Sequence, residues 1–345
     1  GYDTSPLPYH PYLNGNQQGK DMADALTAAR TALPSVGAAS AGSLFVTGYS
    51  QGGYVALAAL RELQSVGTSV TAVAPMSAPS AISLLIDYSF SGWPALGATV
   101  FTPFLTTSWQ NEFGNVYTAT TDIYSAQYAN GIATLLPSLS PDTLFSSGAL
   151  PQLALFPANG VPGPVNPSLS IFYGSGNLVT QAYLTKVAND IAGTPCPGNA
   201  LPATSGSLTT SAPLNCKPQT GLRQAAVAND LRSFLPTRPM LMCGGDQDPT
   251  VNFLSTQSTA GYFLAQGMAP NALTVLDLEQ STASDAFTAD RTAFAQAKAA
   301  TAAGAGNNPT AQAQAVAQAY HATLVPPFCM AAAVGFFKGV LSAGG

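Results

Sequence analysis

Residues 45–60, FVTGYSQGGYVALAAL, join an apolar β-type run to a helical run through a Gly-Tyr-Ser-Gln-Gly turn. A serine raised at the junction of a strand and a helix must take a strained backbone conformation. Glycines two residues before and after it let the neighbouring chain pass without Cβ clashes. The stretch therefore predicts a strand, a tight elbow with Ser50 at its apex, and a helix.

The spacing of apolar residues on both sides of the elbow predicts further elements, which together form a β-α-β arrangement. The predicted elements are an extended loop over 1–18, a helix over 22–33, strands over 44–47 and 70–75, and a helix over 51–63. A strand, a crossover helix and a second strand imply a parallel sheet, so we predict an α/β fold.

A long segment rich in proline and aromatic residues, 81–235, follows this unit. We predict that it is a cap inserted between sheet strands, so that residues 1–80 and 236–345 form the core. The aromatic residues between positions 88 and 128 either pack as the core of the cap or line a pocket for an acyl or aryl group.

The sheet pattern resumes after the cap, with strands predicted over 239–245 and 272–278. Residues 281–319 are dominated by alanine, glutamine and threonine, which predicts helices with a break over 304–308. We interpret this segment as an insertion that faces solvent.

A serine hydroxyl is a poor nucleophile at neutral pH, so the elbow requires a histidine base and a carboxylate later in the chain. The chain has two histidines, His10 and His321. His321 lies beyond every predicted strand, where the order of serine, acid and histidine places the base. We therefore assign His321 as the base.

The segment GGDQDPTV, residues 244–251, follows a predicted strand and has the form of a turn that presents an acid. Asp248 can accept the imidazole N–H of His321 and stabilise the imidazolium. Asp246 is the alternative, with capping of the turn as its other role, and Glu279 after the next strand is a third candidate.

The backbone N–H of Gln51 begins the helix after Ser50 and predicts one donor for an oxyanion, aided by the positive end of the helix. No loop for a second donor is evident in this sequence.

The composition limits the classes of partner. Only 8% of the residues are charged and 46% are hydrophobic, with a net charge of −5 and no basic cluster. Nucleic acid is therefore excluded as an expected partner. The apolar runs near 68–86 and 324–341 contain prolines, glycines or polar groups within the ~20 residues that a membrane-spanning helix needs. We expect a soluble protein without a transmembrane segment.

Four cysteines without a Cys-x-x-Cys spacing predict two disulfides in a secreted or periplasmic protein. Of the three possible pairings, we favour Cys196 with Cys216, which encloses a loop rich in small residues and proline, and Cys243 with Cys329. The alternative is four buried free thiols in a cytosolic protein.

Taken in order, these segments resemble the α/β-hydrolase superfamily, in its secreted lipase and esterase branch with a large cap after the nucleophile. The resemblance rests on HPYL at 10–13, the elbow, VAPMSAP at 73–79, the aspartate turn and the late histidine. It covers the sheet segments and implies hydrolysis of carboxylic esters by Ser50, His321 and Asp248. The resemblance also implies that this chemistry requires no metal and no organic cofactor. In this resemblance His10 belongs to a loop near the site and not to the triad.

The sequence departs from that superfamily before the elbow. The resemblance implies three or four strands and an oxyanion loop there, whereas only residues 1–49 precede Ser50. We expect the N-terminal strands to be missing from this sequence or to lie on a separate, associated chain, because a sheet this short leaves apolar strand edges exposed. The alternative is a compact member of the superfamily that uses another oxyanion donor.

Three functions follow from these predictions. The first is a secreted serine esterase or lipase acting on small-molecule, lipid or polymer esters with apolar acyl or aryl groups. The second keeps the triad but transfers the acyl group to an alcohol or cleaves a peptide. The third is a catalytically silent hydrolase fold that serves as a binding protein.

Overall fold

The computed structural model describes residues 5, 7–199 and 211–344, which form two compact units. The first unit comprises Gly1–Asn14, Ile82–Ser207 and Ala212–Asp230, and the second comprises Gly15–Ala81, Leu208–Ser211 and Leu231–Gly345. The first unit contains most of the segment 81–235, whose function as a cap stays a prediction.

The described residues contain a four-stranded sheet and many helices. The strands are β1 Phe45–Tyr49, β2 Ala72–Met76, β3 Met240–Gly244 and β4 Leu273–Asp277. The α-helices are α1 Gly15–Ala32, α2 Gln51–Ser65, α3 Ile82–Phe90, α4 Ala98–Phe113, α5 Ala126–Ala129, α6 Pro141–Ser146, α7 Gln181–Gly193, α8 Gly221–Ala228, α9 Leu254–Ala265, α10 Thr288–Gly304, α11 Pro309–Ala319 and α12 Val325–Ser342. Short 3-10 helices are Leu33–Val36, Thr120–Asp122, Ile132–Thr134, Pro167–Phe172, Pro197–Asn199, Leu231–Ser233 and Pro270–Ala272.

The sheet of the second unit is parallel throughout, in the order β1-β2-β3-β4. The four strands predicted from the sequence are confirmed, with ends that shift by one or two residues. Both strands of the middle pair, β2 and β3, are buried along their whole length, as their unbroken apolar sequences require. Among the described residues, β1 hydrogen-bonds to a single neighbour, β2, and is therefore an edge strand.

Helix α1 corrects two sequence-based expectations. It begins at Gly15, inside the predicted loop, and its buried residues are Gly15, Gln18 and Gly19, whereas the apolar Met22 on the same face is 44% exposed. The helix packs on α2 through Gly15 and Gly19 instead. A Cβ on Gly19 would lie 2.8 Å from the carbonyl oxygen of Ala58, so only glycine allows this close approach.

The first unit contains a buried cluster of three charged residues. The Arg223 side chain on α8 is 1% exposed and contacts Asp87 at 2.7 Å and Asp190 at 3.0 Å. The disulfide Cys196–Cys216, predicted from the sequence, lies in the same unit. Buried charges of this kind must be paired to be tolerated, and here both carboxylates form ion pairs with one guanidinium.

The segment after β4 is helical, as predicted, with its break between α10 and α11. It is not wholly a solvent-facing insertion, however, because Phe294 on α10 is 1% exposed and packs edge-on against Tyr320 and Phe328. This segment therefore contributes to the core of the second unit.

The expectation that prolines and glycines interrupt the C-terminal apolar run is wrong. Helix α11, a π-helix over Tyr320–Leu324 and helix α12 form one continuous helix, Pro309–Ser342, long and apolar enough by length and composition to span a membrane. Pro326 and Pro327 are the second and third residues of α12, which directly follows the π-helix. The buried side chains of α12 pack against the sheet, and the predicted disulfide Cys243–Cys329 joins α12 to β3.

Candidate active site

The turn after β1 places Ser50 in a strained conformation. Ser50 has φ 56° and ψ −122°, its N–H donates to the Met76 carbonyl oxygen at 2.9 Å, and α2 begins at the next residue. A Cβ on Gly48 would lie 2.1 Å from the Gly52 carbonyl oxygen, whereas a Cβ on Gly52 would meet nothing within 4 Å. The second close approach instead involves Gly53, whose Cβ would lie 2.6 Å from Met76 O.

The structure brings together the three residues assigned from the sequence. His321 Nε2 lies 2.7 Å from Ser50 Oγ, and His321 Nδ1 lies 2.7 Å from Asp248 Oδ2. The Asp248 side chain is 1% exposed and that of His321 is 13% exposed. The imidazole therefore bridges a hydroxyl and a buried carboxylate, which is the arrangement that activates a serine for nucleophilic attack.

The turn after β3 fixes the carboxylate. Asp248 Oδ1 accepts hydrogen bonds from the backbone N–H groups of Thr250 at 2.9 Å and Val251 at 3.0 Å, which leaves Oδ2 for the imidazole. The alternative, Asp246, is exposed, and its backbone N–H bonds to Asp277. Among the described residues, Asp248 is thus the aspartate that hydrogen-bonds to His321.

Glu279, the third candidate acid, contacts Tyr320 and Lys298. Its Oε1 accepts a hydrogen bond from the Tyr320 hydroxyl at 2.7 Å and pairs with Lys298 Nζ at 2.5 Å. Burial, followed by the Glu279 carboxylate, raises the pKa of Tyr320, so its hydroxyl keeps the proton that it donates. This contact anchors the residue next to His321.

His321 lies in a π-helix and not in a loop. The Val325 N–H bonds to the Tyr320 carbonyl oxygen, five residues earlier in the chain, and this widened turn carries the imidazole. Single π-helical turns inside α-helices occur frequently at functional sites. The Pro-Pro pair at 326–327 lies just after the π-helix, and periodicity alone did not reveal the π-helix.

Two tyrosines near the site were not identified from the sequence. Tyr320 precedes the base, and Tyr49 precedes the serine, with its hydroxyl 2.6 Å from the His321 carbonyl oxygen. Their positions beside the two assigned residues are the only signal that the sequence offers for them.

His10 belongs to the first unit, and the three assigned residues belong to the second. Its ring packs against Tyr12 and edge-on against Phe104, each with ring centroids 6.0 Å apart. Burial lowers the pKa of His10 to about 4. An imidazole in these surroundings is neutral at pH 7 and serves as an aromatic packing group.

Gln51 is the first residue of α2, so its backbone N–H lies at the positive end of a helix whose first residue follows Ser50. Its function as an oxyanion donor stays a prediction. Within residues 5, 7–199 and 211–344, no group of three or more His, Cys, Asp or Glu side chains is arranged to hold a metal ion.

The parallel sheet, with a serine elbow after one strand, an aspartate turn after a later strand and a histidine beyond the last strand, is the α/β-hydrolase fold. The chain is similar to the rice cell wall degrading esterase LipA from Xanthomonas oryzae. A ligand-bound form of LipA is 21% identical with a TM-score of 0.61, covering 94% of this chain and 69% of that one.

Two further comparisons agree with this fold. A variant of LipA is 22% identical with a TM-score of 0.60, covering 80% of this chain and 61% of that chain. A candidate hydrolase from Legionella pneumophila is 16% identical with a TM-score of 0.58, covering 92% and 66%. This chain thus spans about two thirds of the length of the structures that it matches. No protein-family model and no curated protein matches its sequence.

Proposed function

We propose that this protein is a serine esterase that cleaves carboxylic esters through an acyl-enzyme. Ser50 Oγ attacks the ester carbonyl carbon while His321 Nε2 takes the hydroxyl proton. The same nitrogen then returns the proton to the leaving alcohol as the bond between carbonyl carbon and alkoxy oxygen breaks. Water repeats the sequence on the acyl-serine, which releases the acid and restores Ser50.

One observation carries this proposal: the continuous hydrogen-bonded path from Ser50 Oγ through the imidazole to the buried Asp248. Asp248 holds Nδ1 protonated, so that Nε2 is left as the acceptor that faces the serine. The Gln51 N–H is the donor proposed for the negative oxygen of the tetrahedral intermediate.

The proposed substrates are uncharged esters with apolar acyl or aryl groups, from small molecules to lipids and polymers. The low content of charged residues, 8%, supports this class over charged peptides. LipA, to which the fold is similar, is described as an esterase that degrades rice cell wall. Acyl transfer to an alcohol and peptide cleavage use the same three residues and form the second candidate.

Two disulfides within the described residues support an oxidising location, so we place the protein outside the cytoplasm. The edge position of β1 and the greater length of the matched structures support an associated segment that pairs with this strand. Such a segment would supply the strands that the superfamily resemblance places before the elbow.

The proposal is tested by labelling the folded protein with a fluorophosphonate and by assaying p-nitrophenyl esters of increasing chain length, an aryl ester and a polymer film. We expect covalent attachment at Ser50 that is lost in Ser50→Ala and strongly slowed in His321→Ala. Ser65→Ala, a serine at the exposed end of α2, is the control and should label like the wild type. Correctly folded protein that neither labels nor hydrolyses any ester would favour the silent binding protein.

A further inference from the structure

Tyr49 connects the strand of the nucleophile to the backbone of the proposed base. It is the last residue of β1, and its hydroxyl donates to the carbonyl oxygen of His321 at 2.6 Å. The same hydroxyl lies 3.5 Å from His321 Nδ1, and the two ring centroids are 5.1 Å apart. The contact therefore reaches both the backbone and the ring of one residue.

The carbonyl group of His321 lacks the usual helical donors. In an α-helix its donor would be the N–H of Val325, but that group bonds to the Tyr320 carbonyl oxygen. In a π-helix its donor would be residue 326, which is a proline without an N–H. The Tyr49 hydroxyl thus takes the place of a backbone donor that neither helical register provides.

The Tyr49 phenol is suited to this task at any pH at which an esterase is assayed. Burial raises its pKa, and the negative charge of Asp248 acts in the same direction, while the nearby Ser77 hydroxyl opposes them. The phenol therefore stays protonated. Since Nδ1 already donates to Asp248, the one phenolic proton is directed to the carbonyl oxygen of His321.

We propose that Tyr49 is a positioning residue, which holds the π-helical turn so that the His321 imidazole meets Ser50 and Asp248 together. Tyr49 does not exchange a proton with the substrate. This inference rests on the proposed function for its kinetic readout, and on the geometry of the imidazole for its spectroscopic readout. It also explains why the elbow carries a tyrosine immediately before the serine.

The test compares Tyr49→Phe with Tyr173→Phe. Tyr173 lies in the first unit, where its hydroxyl donates to the Pro162 carbonyl oxygen at 3.3 Å, so both variants lose a bond from a tyrosine to a backbone carbonyl. Misplacing a catalytic group by ~1 Å can cost about 10²-fold in rate. We expect kcat and the rate of fluorophosphonate labelling to fall about 10- to 100-fold in Tyr49→Phe with KM nearly unchanged, and neither to change in Tyr173→Phe.

A rescue experiment isolates the missing donor. Pro326→Ala restores a backbone N–H five residues after His321, where a π-helix would use it. In the Tyr49→Phe background this second change should recover most of kcat. A double variant that folds, as judged by circular dichroism, but stays as slow as Tyr49→Phe would overturn the carbonyl argument, even if the single variant is unstable.

A proton spectrum separates this inference from the proposed function. The Nδ1 proton shared with Asp248 should give a downfield NMR signal in the wild type and in Tyr173→Phe, and this signal should broaden or vanish in Tyr49→Phe. The signal is independent of turnover. Wild-type protein that hydrolyses no ester would therefore refute the proposed function and not the positioning role. If the wild type is active, a Tyr49→Phe variant with wild-type kcat refutes the positioning role. If the wild type is inactive, a Tyr49→Phe variant with an unchanged Nδ1 proton signal refutes it.

Discussion

The disulfide between Cys243 and Cys329 should be the stronger of the two covalent stabilisers. It closes a loop of 86 residues, whereas Cys196–Cys216 closes one of 20. In the chain-entropy model these loops are worth about 4.6 and about 3.3 kcal/mol. The Cys243–Cys329 disulfide also joins β3, which precedes the aspartate turn, to α12, which follows His321. Its removal should therefore weaken the second unit and the candidate site together.

The perturbation is the double substitution Cys243→Ala/Cys329→Ala, compared with Cys196→Ala/Cys216→Ala. Substitution is preferable to reduction, because Cys243 and Cys329 are both 0% exposed and a reductant reaches them only after unfolding. A mild reductant should release the thiols of the Cys196–Cys216 pair first, because Cys216 is partly exposed. Titration of free thiols in native protein checks this order.

Urea unfolding followed by far-ultraviolet circular dichroism is the appropriate assay. The two tryptophans, Trp93 and Trp109, lie in the first unit, so their fluorescence reports on that unit and not on the sheet. We expect the 243/329 variant to lose about 4.6 kcal/mol of unfolding free energy, with fluorescence less affected than circular dichroism. A loss below about 1 kcal/mol, or a loss smaller than that of the 196/216 variant, would refute the loop argument.

Three further outcomes are expected. Asp248→Asn should lower ester turnover by about 10⁴-fold through the wrong imidazole tautomer, while the exposed Asp246→Asn should change it little; the reverse order in kcat would reassign the acid. Gly48→Ala should abolish fluorophosphonate labelling, because its Cβ would lie 2.1 Å from the Gly52 carbonyl oxygen, whereas Gly52→Ala, whose Cβ meets nothing within 4 Å, should reduce labelling far less. Because burial lowers the pKa of His10 from 6.5 to about 4, the unfolded chain binds the proton first as pH falls. The free energy of unfolding should therefore decrease as pH falls from 6.5 towards 4. His10→Gln should reduce the difference between urea titrations at pH 7 and pH 5.

Local patterns in the sequence were sufficient to predict the sheet and the three assigned residues. Each strand is a short apolar run between turn residues, and the scarcity of histidines left His321 as the one base beyond the last strand. Asp248 could be preferred over Asp246 from the turn that contains them, but burial and the N–H donors of the turn became visible only in the structure.

What escaped prediction depends on contacts between distant segments. The buried residues of α1 are set by glycines that allow a close approach to α2, and apolar spacing did not identify them, since Met22 on the same face is 44% exposed. The continuous helix Pro309–Ser342 was missed because Pro326 and Pro327 read locally as a break. The π-helical turn before them is contacted by distant segments, through the Tyr49 hydroxyl at the end of β1 and through the bond of Tyr320 to Glu279.

The edge position of β1 has a practical consequence for work with this protein. One side of this strand carries hydrogen-bonding groups that no other strand of the described residues takes up, and such an edge is a template for pairing with a second molecule. The same strand ends at Ser50. Self-association through this edge would bring the Ser50 residues of two molecules near one interface, so specific activity should be measured over a dilution series before any variant is compared with the wild type.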